Sequence, residues 1–416
     1  MSPKSRGRPS GRGRQPRRRP RAESRPVTPL SLALREAPRL YDADLLAAQV
    51  AASEWLGRAW AARGMGDQAA ESDLVHRVVA ATSGSRSHAA IAALHALATI
   101  ADPVRRDDVV AGLGDVPAGR APAWAIDPTT HRPPLPVSAQ RWSDPWDANR
   151  VHLLRFTEPV RHTVFVAESM VGGRFVQMID VGVGGPSRPL QPGGEGGLVL
   201  VDVEPDDALA DVADALWQTD MYWPPQNAED YTVFRAYAHW VTAGHRREAD
   251  WEPLPDDERR RLLDDFVGHH ALDLDESVVR VLADTFVDFG ESYLPGGVLA
   301  WSPGEVERFL LDWIHRKVIL EPEVQHHVPQ VLRAWVDFAL TRRGLAREHI
   351  APVVEAVTEL EDDYAEALTD SARHGPAKEI VTRLMAAGVD LTDRDAVDGA
   401  IGEYNAEQLA RRMLET

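Results

Sequence analysis

Hydrophobic residues recur at helical spacing through most of the chain, except in one central stretch that follows a different pattern. Ala- and Leu-rich runs between residues 40 and 113 carry apolar residues three and four positions apart, which predicts helices. Residues 150–203 instead hold short runs rich in β-branched residues, which predicts strands. From residue 256 onward the helical spacing returns. The pattern therefore predicts an α+β protein, mostly α-helical, with a small antiparallel β-sheet in the middle.

The central stretch predicts a hairpin followed by a long loop. Its strand-like runs cover residues 151–156, 162–168, 174–183 and 198–203. Gly172 and Gly173 end the segment between the second and third runs, and adjacent glycines allow a tight turn. Residues 186–197 are rich in glycine and proline, which predicts a loop before the last strand. We expect a helix to begin after Glu204, because Pro205 suits the first helical turn.

The sharpest helix signal is Ser302-Pro303-Gly304-Glu305. Ser302 fits the N-cap, Pro303 fits the first helical position, and Glu305 is placed to close a capping box with Ser302. Apolar residues then recur at helical spacing as far as Val318. We expect the tryptophans of this region to lie in the core of the C-terminal helices: Trp301, Trp313 and Trp335.

Changes in composition divide the chain into segments. A proline-rich connector at 117–136 separates the first helical runs from the predicted sheet. We predict a disordered basic arm over residues 1–29, an N-terminal helical domain over 40–125, a small α+β domain with the antiparallel sheet over 140–245, and a C-terminal helical domain over 250–416.

The first 25 residues differ in charge from the rest of the chain. They hold ten Lys or Arg and one acidic residue, whereas the whole chain has a net charge of -18, so the remainder carries -27. A segment of Arg, Pro, Gly and Ser buries too little apolar surface to offset its ordering entropy, so we expect residues 1–29 to be disordered. Two interpretations stay open. We favour a solubilising tail over an arm that binds nucleic acid weakly and without sequence preference.

The absence of cysteine excludes disulfides, thiol catalysis and thiolate metal sites. No run approaches the roughly 18 apolar residues of a membrane-spanning helix. Residues 29–34 are followed by Arg35 and Glu36, so their apolar run is too short for an export signal. We therefore expect a cytoplasmic protein that does not bind membranes.

The common catalytic motifs are all incomplete in this sequence. Gly182-Val183-Gly184-Gly185 follows a strand, but the dinucleotide-binding fingerprint requires glycine at position 187, which is Ser187. The sequence holds no Gly-Lys-Ser or Gly-Lys-Thr, no His-Glu-x-x-His and no Gly-x-Ser-x-Gly. From motifs we predict no catalytic residue, no metal site and no cofactor.

One group of polar residues in the predicted sheet has the chemistry of a metal site. His152 and His162 lie on neighbouring predicted strands, with Glu168 and Asp180 nearby in sequence. Imidazole and carboxylate groups are common ligands of transition metals. The interpretation we favour is half-buried histidines that bind no metal.

An aromatic segment follows the helix that begins after Glu204. Tyr222-Trp223-Pro224-Pro225 offers two aromatic side chains beside two prolines. Such a segment lines a binding groove or packs at a domain junction. We favour packing at a junction.

Several segments, taken in order, resemble one protein family. They are Asp144-Pro145-Trp146, residues 176–185, residues 216–221, Phe289-Gly290, Trp301-Ser302-Pro303 and residues 311–317. In this order they resemble a family of uncharacterised cytosolic proteins from high-GC Gram-positive bacteria, over roughly residues 40–400. The resemblance implies an architecture and no known reaction.

The resemblance also singles out the loop after Asp180. Members of the family carry Asp-His-Asn-Leu-Gly-Gly after the third strand, followed by Lys-Asp. Here the first six positions are Asp180 to Gly185, and Arg188 and Pro189 stand where Lys-Asp would fall. The resemblance implies that this chain keeps Asp180 and Arg188 from a polar cluster and has lost the rest.

These observations leave three hypotheses for function. The leading one is a non-enzymatic cytosolic interaction or regulatory protein with an unidentified protein partner. The first alternative is an enzyme or small-ligand binder that uses the loop after Asp180, with candidate ligand-binding residues Asp180, Arg188, Trp223 and Arg316. The second alternative is a nucleic-acid-associated protein that uses residues 1–29.

Overall fold

Helices form the N-terminal part of the structure. The computed structural model describes residues 28–370, apart from 86, 115, 117–118, 184–196, 248–252 and 270–271, together with scattered positions from 378 to 406. The first helices are α1 (Pro29–Leu40), α2 (Leu45–Ala61), α3 (Ala70–Thr82), α4 (His88–Ile100) and α5 (Pro103–Gly114). Asp44 begins α2 by accepting the Ala47 N–H at 2.8 Å. This side chain pairs a backbone donor that the first helical turn leaves without an intrahelical partner.

A five-stranded antiparallel sheet follows, made of β1 (Ser138–Ser143), β2 (Asn149–Phe156), β3 (His162–Ser169), β4 (Phe175–Gly182) and β5 (Val199–Val203). The strand order is β4-β3-β2-β1-β5. One face, which includes Val164, Val166 and Ile179, is buried under α6 (Pro205–Met221) and α7 (Glu229–Val241). Because side chains alternate along a strand, Phe165 and its β4 partner Asp180 lie on the opposite face.

The described residues of the C-terminal part form helices and the loops that connect them. Its elements are α8 (Asp256–His269), α9 (Glu276–Tyr293), α10 (Pro303–Arg308), a π-helical segment (Phe309–Trp313), α11 (Ile314–Lys317), α12 (Pro322–Gln325), α13 (Val328–Arg342), α14 (Arg347–Glu359) and α15 (Glu361–Thr369). The π-helical segment interrupts the run that the sequence predicts as one helix. A π-helical turn holds one more residue than an α-helical turn, so it shifts the face that the following residues present.

Two large hydrophobic cores organise these elements. The first runs from Leu32 to Val241 and draws on α1–α7 and the sheet, and we name this part the sheet unit. The second runs from Leu262 to Tyr364 and draws on α8–α15, and we name this part the helical unit. The predicted N-terminal helical domain and the predicted sheet domain share the first core, because α7 packs between α2 and β4. The predicted domain boundaries themselves stay a prediction.

The structure confirms the predicted α+β class with its small antiparallel sheet. The predicted disordered arm over residues 1–29 falls almost entirely outside the described residues, of which Thr28 is the first. The tryptophans predicted for the core of the C-terminal helices are all buried: Trp301, Trp313 and Trp335.

The predicted capping box forms only in part. Ser302 is the N-cap of α10 and accepts the Glu305 N–H at 3.3 Å, as predicted. The Glu305 side chain does not close the box. It instead accepts the Gly172 N–H at 2.9 Å, from the turn between β3 and β4. The prediction was wrong on this point because a donor from the other unit takes the place of the Ser302 backbone N–H.

Replacing Trp313 by alanine should lower the free energy of unfolding by about 3–5 kcal/mol. The side chain is 8% exposed and its ring packs on those of Phe289 and Phe309. Trp217→Ala is the matched control, because Trp217 is 41% exposed and should change the stability by less than about 1 kcal/mol. Urea unfolding of the full chain measures both. Equal losses in the two variants would show that Trp313 is not a core residue.

Candidate functional site

The turn between β3 and β4 is held at close range by two other elements. We name its residues, 171–173, the hairpin tip. Gly172 has φ +74° and Gly173 has φ +120°, backbone conformations that side chains with a Cβ atom rarely adopt. A Cβ atom on Gly172 would lie 1.6 Å from an Arg308 guanidinium nitrogen, and one on Gly173 would lie 2.3 Å from the Tyr222 hydroxyl. The backbone conformation therefore favours glycine at both positions, and any larger residue would also have to displace the end of the Arg308 or the Tyr222 side chain.

Hydrogen bonds join the sheet unit to the helical unit around this tip. Glu305 on α10 accepts the Gly172 N–H at 2.9 Å. Trp146, from the loop between β1 and β2, donates its indole N–H to the His349 carbonyl oxygen at 2.7 Å. Arg343 donates to the Trp146 carbonyl oxygen at 3.3 Å. The junction therefore depends on directional bonds from one turn and one loop of the sheet unit.

Asp144 fixes the loop that carries Trp146. Its carboxylate accepts the backbone N–H groups of Trp146 at 3.1 Å, Ala148 at 2.8 Å and Asn149 at 2.9 Å. A carboxylate that accepts several backbone donors holds a turn rigidly. The sequence Asp144-Pro145-Trp146 therefore has a structural role, because the turn that it forms positions the Trp146 indole against the helical unit.

A small pocket lies at the junction. Its volume is about 20 Å³, which is room for about one water molecule. The residues that line it include Trp146, Met170, Pro295, Glu305 and Arg343. A metabolite-sized substrate does not fit this space.

Glu305 is a buried carboxyl group that lines this pocket. The residue is 2% exposed, and its Oε2 atom is buried without a hydrogen-bond partner in the described part of the chain. Burial raises the pKa of the Glu305 carboxyl group to about 7, although the Gly172 N–H and the Arg308 charge oppose that rise. The sequence indicated only a helix cap at this position.

A second carboxylate, Glu168, lies under α6 in a cluster of basic side chains. Its oxygens lie 2.9 Å from His152 Nε2 and accept a hydrogen bond from Arg174 Nε at 2.6 Å. Burial alone would raise the pKa of Glu168, but the hydrogen bonds of His152 and Arg174 and the Arg174 charge lower it to about 2. A carboxylate held ionised by arginine is a poor general acid and a weak base, so the cluster is suited to holding β3, β4 and α6 together.

A third carboxylate, the half-buried Asp220, joins α6 to α7. It accepts hydrogen bonds from Arg235 Nη2 at 2.7 Å and from the Tyr231 hydroxyl at 2.7 Å, and it lies 2.8 Å from His239 Nε2. Burial opposes ionisation, but Arg235 and His239 outweigh it and hold the pKa of Asp220 far below its ordinary value. Arg235 also bonds Glu71 of α3 at 2.8 Å. Asp220 is therefore part of an ion network that ties three helices.

Large apolar side chains are exposed where α6 ends. We name Trp217, Met221, Tyr222 and Trp223 the aromatic surface. They are 41%, 68%, 42% and 44% exposed. Trp217 and Met221 are four residues apart on α6, so they lie on one helix face. The Tyr222 ring packs on Phe175, with centroids 4.1 Å apart, beside the hairpin tip.

The four candidate ligand-binding residues are distributed over separate parts of the chain. Asp180 lies in β4, on the face opposite α6 and α7. Arg188 lies outside the described residues. Trp223 lies in the aromatic surface, and Arg316 lies on α11, where it pairs with Asp312 at 3.2 Å. The lining of the junction pocket includes none of the three described candidates.

His152 and Glu168, two of the four residues considered as metal ligands, lie in direct contact. Arg174 donates a hydrogen bond to the same Glu168 carboxylate. His162 lies 2.7 Å from the Tyr237 hydroxyl instead. Within the described ranges, no group of three or more His, Asp and Glu side chains is placed to hold a metal ion.

No family model, no curated protein and no solved structure matches this chain. The resemblance to the family of cytosolic proteins therefore stays a prediction. Of the helices that the structure describes, none is long and apolar enough to cross a membrane.

Gly172→Ala should destabilise the protein by about 2–4 kcal/mol, through backbone strain and the overlap with Arg308. Gly344→Ala is the matched control, because Gly344 has φ +81° and open space around its Cβ position. The Gly344→Ala variant has the backbone strain without an overlap, so its free energy of unfolding should fall by about 1 kcal/mol. Thermal and urea unfolding measure the two losses. If the losses were the same, the hairpin tip would not pack on α10 as described.

Proposed function

We propose that this chain is a non-enzymatic interaction protein of the cytoplasm that binds another protein through the aromatic surface. The observation that carries the proposal is the exposure of Trp217, Met221, Tyr222 and Trp223 within seven consecutive residues. Soluble proteins seldom leave large apolar side chains grouped on the surface unless a partner covers them. Trp, Tyr and Met are also enriched at the centres of protein interfaces.

The neighbouring structure supports a binding surface in a fixed position. Tyr222 is held between Phe175 and the hairpin tip, and Asp220, one residue before Met221, is held by Arg235 and His239. An interface formed by rigid side chains loses less conformational entropy on binding than one formed by mobile side chains. The surface is therefore preorganised for an apolar patch on a partner protein.

The buried carboxylates give less support to an enzyme. Glu168 and Asp220 are neutralised by arginines, and Glu305 faces a pocket with room for about one water. The alternative centred on Asp180 uses a loop of which residues 184–196 lie outside the described part of the chain. The alternative that uses residues 1–29 depends on positions outside the described part of the chain.

Trp217→Ala/Met221→Ala should weaken the binding of a protein partner by about 30-fold or more, the loss typical of an interface hot spot. Alanine is a good helix former, so α6 should be kept. The measurement is affinity capture with the full chain as bait, followed by titration of the captured protein by calorimetry.

The matched control is Val281→Ala/Ile319→Ala, which removes two exposed apolar side chains from the helical unit. It should bind the partner as the parent does, and both double variants should keep the parent's circular dichroism. A partner that binds the Trp217/Met221 variant as tightly as the parent would contradict the proposal.

A further inference from the structure

We propose that the contact between the Glu305 carboxyl group and the hairpin tip is a proton-operated latch between the two units, closed while the carboxyl is protonated and loosened when the proton is lost. The proposal does not depend on the identity of a partner protein. It starts from the position of Glu305, in the first turn of α10 and 2% exposed.

The hydrogen bonds of Glu305 suit a neutral carboxyl group. Oε1 accepts the Gly172 N–H at 2.9 Å, a bond that the carbonyl oxygen of a protonated acid also makes. Oε2 is buried and, within the described residues, has no donor. A buried anionic oxygen without a donor is costly, whereas a hydroxyl at the same place carries no net charge.

The groups that face Glu305 do not compensate fully for that cost. Arg308 on the same helix and the Gly172 N–H favour the ionised form, but burial outweighs them and raises the pKa of Glu305 to about 7. Across the junction pocket lie Arg343 of α13 and Asp147 of the β1–β2 loop, and Asp147 pairs with Arg150. The remaining lining has no charged side chain and comes from Trp146, Ala148, Met170, Pro295, Gly296 and Ala300.

An ionised Glu305 can gain the hydration of a free carboxylate only if the junction opens. The pocket that Glu305 lines holds about one water molecule, whereas a carboxylate in water accepts hydrogen bonds from several. The hairpin tip leaves no spare space on the α10 side, because a Cβ atom on Gly304 would already lie 3.2 Å from Val171. Further water molecules therefore reach Glu305 only when the tip moves away from α10.

The pH range follows from the two pKa values. The ordinary glutamate pKa of the open junction is about 4.5, and that of the closed junction is about 7. Below 4.5 both forms are protonated and the latch has its full strength. Between 4.5 and 7 opening releases a proton, so opening becomes about tenfold easier for each pH unit. Above 7 both forms are ionised and the strength no longer changes.

Hydrogen exchange of the full chain tests the latch at the Gly172 amide. After correction for intrinsic exchange, protection should fall by about 40-fold from pH 5 to pH 7 and should level off above pH 7. Glu305→Gln keeps an acceptor for Gly172 and cannot ionise, so its protection should not vary over this range. Glu307→Gln, on the exposed side of α10, is the matched control and should behave as the parent does.

Equal pH dependence in the parent and in Glu305→Gln would overturn the proposal. A second measurement needs no variant: a carbon-13 titration of the Glu305 carboxyl group in the parent chain. Its midpoint should lie near 7 and should coincide with a shift of the Gly172 amide signal. A midpoint near 4.5 would overturn the proposal even if the glutamine variant did not fold.

Discussion

The close approach of the hairpin tip to α10 is the constraint on which the relation between the two units depends. Each unit has its own hydrophobic core, and in the described residues Trp146 and the hairpin tip of the sheet unit contact the helical unit. At this contact Gly172 has a backbone conformation that favours glycine, the Arg308 guanidinium packs on it, and its N–H donates to the buried Glu305 carboxyl group. The same tip packs against Tyr222 through Gly173, so it lies between the helical unit and the aromatic surface. A change at any of these positions alters both neighbours of the tip.

The carboxyl groups of Glu168, Asp220 and Glu305 show how surroundings decide the chemistry of one functional group. Glu168 and Asp220 each bond an arginine, and their pKa values fall because the ion pairs outweigh the cost of burial. Glu305 has no direct cationic partner in its described contacts, and its pKa rises because burial outweighs the Gly172 hydrogen bond and the Arg308 charge. The first two therefore hold elements in place, whereas the third can change its charge near neutral pH.

Local sequence signals predicted much of the fold. Short runs rich in β-branched residues located four strands to within a few residues, and Ser302 was identified as the cap of α10. The strand Ser138–Ser143 was missed because Gln140, Arg141 and Trp142 do not alternate as a half-buried strand should. That strand lies between two others, and their hydrogen bonds outweigh its weak pattern.

The site was less predictable because it depends on contacts between distant residues. Glu168 shares its phase with Val164 and Val166, so the period of two places it on the buried face, a signal available from the sequence. Glu305 gave no comparable signal, because its partner Gly172 lies 133 residues away. Trp223 was interpreted as packing at a junction, and the structure places it on the surface instead. Its neighbour Tyr222 makes the contact with the hairpin tip.

The most direct test of this account is a double-mutant cycle between Gly172→Ala and Arg308→Ala, measured by urea unfolding of the full chain. If the tip packs on α10, removing the guanidinium relieves the overlap. The account predicts that Gly172→Ala costs at least about 1 kcal/mol less in the Arg308→Ala background than in the parent. Strictly additive losses would contradict the account, because the two residues would then not be in contact.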